Sequence, residues 1–332
     1  MKDFNAAGRV IFALSFSPSR LKSTFFPTPV ENVLISYYYI QSENKERYKV
    51  QTQLVADVRK KAKKVFIDSG IFTLKTKYVK GFSVSGSFLV MPKDQVNKFR
   101  HEATKNIKMF DRFARRYTKW LTKFDRLYDW AFDLDVDEFL GKDIADRYYQ
   151  ILKETIPNPR KIIRVWHGLD RTWDDWVRWC ESGEHDYLAV EGGGSHSMDY
   201  DFYRRMIAKA HEHGIKVHVL AATSADFMKN VPCDTADSSS WMTGSRYGYI
   251  YTPYGKISFG KKTAPSMNHW DTLPKEHKAK IMEWLHTAGV AHRISEFKHY
   301  WEPRELANIA YFLWADKPFE RTGKVFRQSI AF

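Results

Sequence analysis

The chain has 332 residues, 43% of them hydrophobic, which is enough apolar material for a substantial core and too much for a disordered chain. Lys and Arg number 53 against 39 Asp and Glu, a formal net charge of +14 that favours polyanionic partners: nucleic acid first, an anionic membrane surface second. Only Cys180 and Cys233 are present, which excludes a disulfide framework and a cysteine-built zinc site and suits a reducing cytoplasm. No apolar run is long enough to span a bilayer.

Short apolar runs recur, each followed by a polar turn and a helical pattern. Arg9–Phe16 is the first. Its patch from Val10 to Phe16 is short and lacks a cleavage site, so it reads as a strand and not as a signal peptide. Asn32–Tyr38, Val65–Asp68, Trp130–Asp133, Ile162–Trp166, Tyr187–Glu191, Lys216–Ala222 and Asp234–Ser238 follow. Helical patterns fall at roughly 51–63, 95–125, 143–155, 171–182, 199–214 and 224–230. About eight short, doubly buried strands alternating with helices predict an α/β fold, a (β/α)8 barrel in one domain over 1–332.

Two stretches exceed a plain barrel. From Thr73 to Arg126 the chain is basic and alternates Lys and Arg with Phe, Tyr and Trp. That pattern suits an amphipathic helix with a solvated face; it also suits a surface that grips phosphates and stacks bases. Tyr247–Gly260 alternates aromatics around Pro253-Tyr254-Gly255 and reads as a β-hairpin, with terminal helices expected at 275–290 and 302–315.

In a barrel of this kind the chemistry sits at the C-terminal ends of the strands. Read in order, those ends carry Asp68, Asp133, His167, Glu191 and Asp237. A single acid after a strand is usually the N-cap of the next helix. Four acids and a histidine at successive ends are better explained by a pocket.

The motifs at those ends resemble the tRNA-guanine transglycosylases and their phage and bacterial relatives that insert 7-deazaguanines into DNA. The resemblance runs from about residue 60 to 262. IDSGIF is similar to the family's Asp-Ser-Gly-Gly-Phe/Tyr-Gln, and WAFD to its Ala-Phe-Asp. RVWHG is similar to the Val/Ile-Gln-Gly segment, and YLAVEGGGS to Tyr-Ala-Ile-Gly-Gly-Leu. VHVLAATSADFMKNV resembles the stretch before the last strand, and CDTADSSSWMTGSRYGYIYTPYGKI the nucleophile strand, an Arg-x-Gly and a hairpin.

The resemblance implies roles. Asp237 matches the nucleophile that attacks C1′ of a nucleotide, and Asp68 the general acid and base. Asp133 matches the carboxylate that accepts the purine N–H edge. Gly192 or Gly193 would present backbone to the same base. Phe72, beside Ser69, matches an aromatic against the base face, and Arg246 a phosphate or ribose contact. No cofactor is implied. Three departures stand out. The family's module of three Cys and a His is missing. His167, preceded by Trp166, replaces a base-reading Gln. Glu191 sits in the glycine motif, where a carboxylate favours a base with an extra N–H donor or a cation. The missing zinc module and the charge favour DNA as the polymer, with tRNA as the alternative. A cytoplasmic protein is expected, the host cytoplasm if phage-encoded, with no membrane partner and a homodimer as one option.

Other readings compete. Asp133-Leu-Asp-Val-Asp-Glu-Phe is the spacing by which metal-dependent glycosyltransferases hold Mn²⁺ or Mg²⁺, and it would need an open sheet. As an EF-hand loop it fails, because Glu138 occupies the glycine position. The plainer reading makes Asp135, Asp137 and Glu138 loop and capping acids. His185, His196, His211, His213 and His218 form no tight metal spacing and read as surface or structural. Gly192-Gly193-Gly194-Ser195 lacks the Lys-Ser/Thr ending of a phosphate loop. A barrel that binds nucleic acid without catalysis is the remaining alternative; the retention of both Asp68 and Asp237 argues against it.

Overall fold

Eight parallel strands close into a barrel in strict chain order in the computed structural model, which describes residues 8–14, 17–78, 92–192, 199–260 and 268–316. The strands are β1 Val10–Ala13, β2 Asn32–Ser36, β3 Lys64–Asp68, β4 Trp130–Phe132, β5 Ile162–Trp166, β6 Tyr187–Val190, β7 Lys216–Val219 and β8 Thr235–Ser238. Closure is made by β8 against β1, with Ile11 opposite Asp237. The strands are short and apolar on both faces because each is covered twice, by the barrel interior and by the helical layer.

Alternation along the strands sorts the side chains. Ile11, Leu34, Phe66, Phe132, Ile163, Val165, Tyr187 and Ala189 fill the inside. Their neighbours Val33, Val65, Ala131, Ile162, Trp166, Leu188 and Ala236 join the larger core beneath the helices. Full burial of one such side chain is worth roughly 1.5–3 kcal/mol, so the alternation fixes the register strongly. A one-residue slip would turn every interior residue outward.

The basic stretch is not one helix. It breaks at Lys105-Asn106 into helices Lys93–Thr104 and Ile107–Lys123; residues 79–91 lie outside the described residues. On the second helix Phe110, Phe113, Tyr117, Trp120 and Leu121 are buried while Arg112, Arg115, Arg116 and Lys119 are exposed, the amphipathic arrangement. The Tyr117 hydroxyl donates to the Phe132 carbonyl at 2.7 Å, which ties this helix to the end of β4.

A helix that the sequence pattern did not announce, Ser240–Tyr247, leaves β8 directly; its serines and Gly244 disguise it. Then come the expected hairpin, β9 Tyr249–Thr252 and β10 Gly255–Ser258, with β11 Asn268–His269 alongside β10. Helices Lys275–Thr287 and Trp301–Ala315 pack on it around a second core that includes Ile250, Ile257, Phe259 and Leu285. Among the described residues no helix is long and apolar enough to cross a membrane.

Candidate active site

The interior register continues past the apolar layer into polar side chains. Counting in twos from Phe66, Val165 and Ala189 reaches Asp68, His167 and Glu191. On β8, Thr235 bonds to the interior Tyr187 hydroxyl, so Asp237 two residues on faces the same way. Four of the expected residues therefore converge on the mouth of the barrel. Asp133 and Trp166 fall on the other register.

Asp68 ends β3, and the chain turns at once. Gly70 has φ +73°, and a Cβ there would lie 2.3 Å from the Ser36 hydroxyl and 2.5 Å from Cβ of Tyr38. Only glycine fits so tight a turn beside β2. Ser69 is fully buried; its hydroxyl accepts the Ile71 N–H at 3.2 Å and lies 3.4 Å from Asp135. Burial raises the Asp68 carboxyl to about 6, and the nearby charge of Asp237 pushes the same way against backbone N–H bonds from Gly70 and Ser69. Phe72, on the helix Ile71–Tyr78, is 49% exposed, with the Lys75 ammonium 4.9 Å from its ring centre.

Asp237 is held from below and beside. His218 Nε2 lies 3.1 Å from its Oδ1, and the Ala221 N–H donates to the same oxygen at 3.0 Å. Ala221 is the only non-glycine residue with positive φ among the described residues, at 54°. His218 is wholly buried inside the barrel against the rings of Phe66 and Phe132. Its place was readable in principle: Val217-His218-Val219 puts a polar residue on the interior register of a strand.

The acids after β4 have different company. Asp133 Oδ1 accepts the Val165 N–H at 3.3 Å, inside the β4–β5 ladder. Burial raises its carboxyl to about 7, with Arg164 opposing. Asp137 is also buried, which pushes its carboxyl up, but His167 and Arg171 outweigh that and hold it below the ordinary value. Arg171 Nε donates to Asp137 Oδ2 at 2.8 Å, and Arg171 continues to Asp146 at 2.8 Å, which Arg164 also bonds. His167 Nδ1 sits 2.9 Å from Asp137 Oδ1 as a buried ion pair. His167 is held well above its usual range: burial opposes the charge, and Asp137 overrides it. Asp135, half-buried between Ser69 and His167, has its carboxyl raised well above normal, first by burial. Expected as loop or capping acids, Asp135 and Asp137 instead take partners that no local pattern announces.

Glu191 accepts the Gly168 N–H at 3.0 Å and is raised to about 7, chiefly by burial. At Gly192 a Cβ would lie 1.6 Å from the Leu220 carbonyl oxygen, so the β6 and β7 ends meet there backbone to backbone. Gly193 lies outside the described residues. Trp166 is buried, donates Nε1–H to the Thr172 carbonyl at 3.1 Å and packs on Phe202. Arg246 is exposed on the helix that follows β8.

A cavity of about 460 Å³ adjoins this mouth, with Gly192, Ala221, Thr223, Ser240, Tyr251 and Lys256 in its wall. A larger one, about 720 Å³, lies at the opposite end of the barrel, between Tyr48–Ala56 and the segment entering β4. Size does not decide here: barrel chemistry belongs to the C-terminal strand ends, and the inward acids are there. Among the described residues no group of three or more His, Cys, Asp or Glu could hold a metal ion.

No protein-family model matches the chain, and no curated protein matches it. Among solved structures, an enolase of the mandelate racemase subgroup from Agrobacterium tumefaciens is similar over 71% of this chain, with 12% identity and a TM-score of 0.36. A thermostable mutant of a xylanase from Cellvibrio japonicus is similar over 71% of this chain and 86% of its own, with 11% identity and a TM-score of 0.39. This chain spans 56% of the enolase's length. Both are too distant to carry an argument about activity. The closed ring of eight parallel strands makes the fold a (β/α)8 barrel.

Proposed function

We propose that the protein exchanges guanine in DNA for a 7-deazaguanine base through a covalent intermediate on Asp237. The observation that carries the reading is the pairing of two unlike carboxyls at the mouth. Asp68 is half-buried and poised near pH 6, as a group that gives and takes protons must be. Asp237 has one oxygen tied by two N–H donors, which leaves Oδ2 to attack.

The steps balance. Asp237 Oδ2 bonds to C1′ as the C1′–N9 bond of guanine breaks, and protonated Asp68 supplies the proton the departing base needs. The incoming base then gives its proton to Asp68, its nitrogen bonds to C1′, and the Oδ2–C1′ bond breaks. Glu191, which accepts the Gly168 N–H through one oxygen, has a second oxygen for a base edge made of N–H donors. The target nucleotide must leave its stack to reach them. The exposed arginines of the helix Ile107–Lys123 would hold the phosphates outside, so acids gather within the mouth and cations on the surface. The metal-dependent alternative loses ground, since the sheet is closed and Asp137 is already engaged by Arg171.

The test is base exchange with labelled guanine or 7-cyano-7-deazaguanine, offered with duplex DNA, single-stranded DNA and tRNA, and Asp237→Ala as control. Label entering DNA and lost in the variant is the expected result. Label entering only tRNA would move the reaction to the other polymer. Absence of label in all three, with DNA binding kept, would favour the non-catalytic barrel.

A further inference from the structure

The barrel interior holds a chain of polar groups that ends at Asp237 and starts far below it. The Tyr187 hydroxyl meets Thr235 Oγ1, Thr235 Oγ1 lies 2.8 Å from His218 Nδ1, and His218 Nε2 lies 3.1 Å from Asp237 Oδ1. All three supporting residues are buried: Tyr187 and Thr235 at 2% exposure and His218 at 0%. In an otherwise apolar interior, three polar side chains in series are costly unless each is satisfied.

One arrangement of hydrogens satisfies all of them. A carboxylate can only accept, so Nε2 carries the hydrogen and donates to Asp237. Nδ1 is then the acceptor and takes the Thr235 O–H. Thr235 Oγ1 in turn accepts the Tyr187 O–H. Every donor points up the barrel towards Asp237, with the imidazole hydrogen on Nε2 and Nδ1 left as an acceptor. The Ala221 N–H, presented by a residue at φ 54°, meets the same carboxylate oxygen. Backbone strain of this sort persists only where the surroundings enforce it.

The geometry points to His218 as the positioning residue of the nucleophile: with the Ala221 N–H it pins Oδ1 of Asp237, presents Oδ2 to C1′, and steadies the carboxylate when the glycosyl ester breaks. In the ester Oδ1 becomes the carbonyl oxygen. When the Oδ2–C1′ bond cleaves, charge returns to the carboxylate, and two fixed N–H donors already face it. Donors aimed where charge develops act without reorganisation, and losing one costs roughly 10²–10³-fold in rate. This inference rests on the base-exchange reading and deepens it.

The experiment compares His218→Leu, His218→Gln and Thr235→Val with the wild type in base exchange, with the covalent protein–DNA adduct trapped on denaturing gels. The wild type must exchange and Asp237→Ala must not; if the wild type is inert, it is the base-exchange reading that fails. Given an active wild type, His218→Leu should lower kcat roughly 10²–10³-fold with KM for the oligonucleotide little changed. Gln, which keeps an N–H donor, should recover at least about tenfold of that loss. Thr235→Val, which frees Nδ1 but leaves the imidazole, should lie between wild type and His218→Leu. Nitrogen-15 spectra of the wild type should show the Nε2–H tautomer, a readout independent of turnover. Folded His218→Leu with wild-type kcat overturns the inference. So does an Nδ1–H tautomer. If His218→Leu does not fold, the tautomer and the Thr235→Val rate decide: an Nδ1–H imidazole in the wild type, or a wild-type rate in Thr235→Val, refutes the role.

Discussion

Two groups of acids share one end of the barrel, and they are stabilised in opposite ways. Asp68 and Asp237 lie on the interior register, and no arginine bonds either one among the described contacts; backbone N–H groups and, for Asp237, the His218 imidazole hold them. Asp137 and Asp146 lie a few ångströms from guanidinium groups, bonded by Arg171 and Arg164. A carboxylate neutralised by arginine is a poor nucleophile and a poor acid. A carboxylate held by hydrogen bonds alone keeps its reactivity. The difference teaches that the count of acids at strand ends matters less than which of them is left without a cation.

The sharpest way to break that distinction is to remove one member of each group. Asp237→Ala should abolish exchange, a loss of at least about 10⁴-fold, while thermal stability stays close to wild type. Loss of activity with an equal loss of folding would make Asp237 structural. In the other group, Arg171→Ala leaves Asp137 buried with only His167 beside it. Breaking a buried pair from one side typically costs about 3–5 kcal/mol, and urea unfolding should show a loss of that size. A change below about 1 kcal/mol would mean that Arg171 is no keystone.

Asp68 gives a pH test of the reactive group. With its carboxyl at about 6, the protonated form that the first step needs is lost as pH rises through that value. Adduct formation should fall about tenfold for each unit above roughly pH 6 in single-turnover measurements. Asp68→Asn should flatten the profile as well as lower it. A profile that stays flat in the wild type would remove Asp68 from the acid role.

Much of this site could be read from the chain, and the limits are instructive. VFID and YLAVE announce an acid at the end of a buried strand because both local signals, an apolar run and its polar stop, are contiguous. The helix over Ile107–Lys123 is likewise plain from its 3.6-residue spacing. What stays hidden is the face. Asp133 ends WAFD as Asp68 ends VFID, yet the interior ring is Phe132 in one strand and Phe66 in the other, so the two acids fall on opposite registers. Nor can spacing show that Arg171, 34 residues after Asp137, returns to bond it. His218 was legible in pattern, through Val217-His218-Val219, but its partner Asp237 sits on the next strand.

Asp133 is the residue that tests the comparison most finely, because it belongs wholly to neither group. Burial raises its carboxyl to about 7, while Arg164 pulls it down. Its unfolded value is close to 3.9. Between those values the folded chain binds the extra proton, so stability is greatest below about pH 4 and falls as pH rises to about 7. Asp133→Asn removes the charge yet keeps an oxygen for the Val165 N–H. It should therefore stabilise the fold at pH 8 by on the order of 1–2 kcal/mol, with the gain vanishing near pH 4. Unfolding at the two pH values measures the difference. If the variant is instead weaker at pH 8, the arginines hold Asp133 ionised, and it joins Asp137 among the neutralised acids. If the gain appears, Asp133 is a carboxyl carried mostly protonated at the edge of the β4–β5 ladder, able to donate as well as accept.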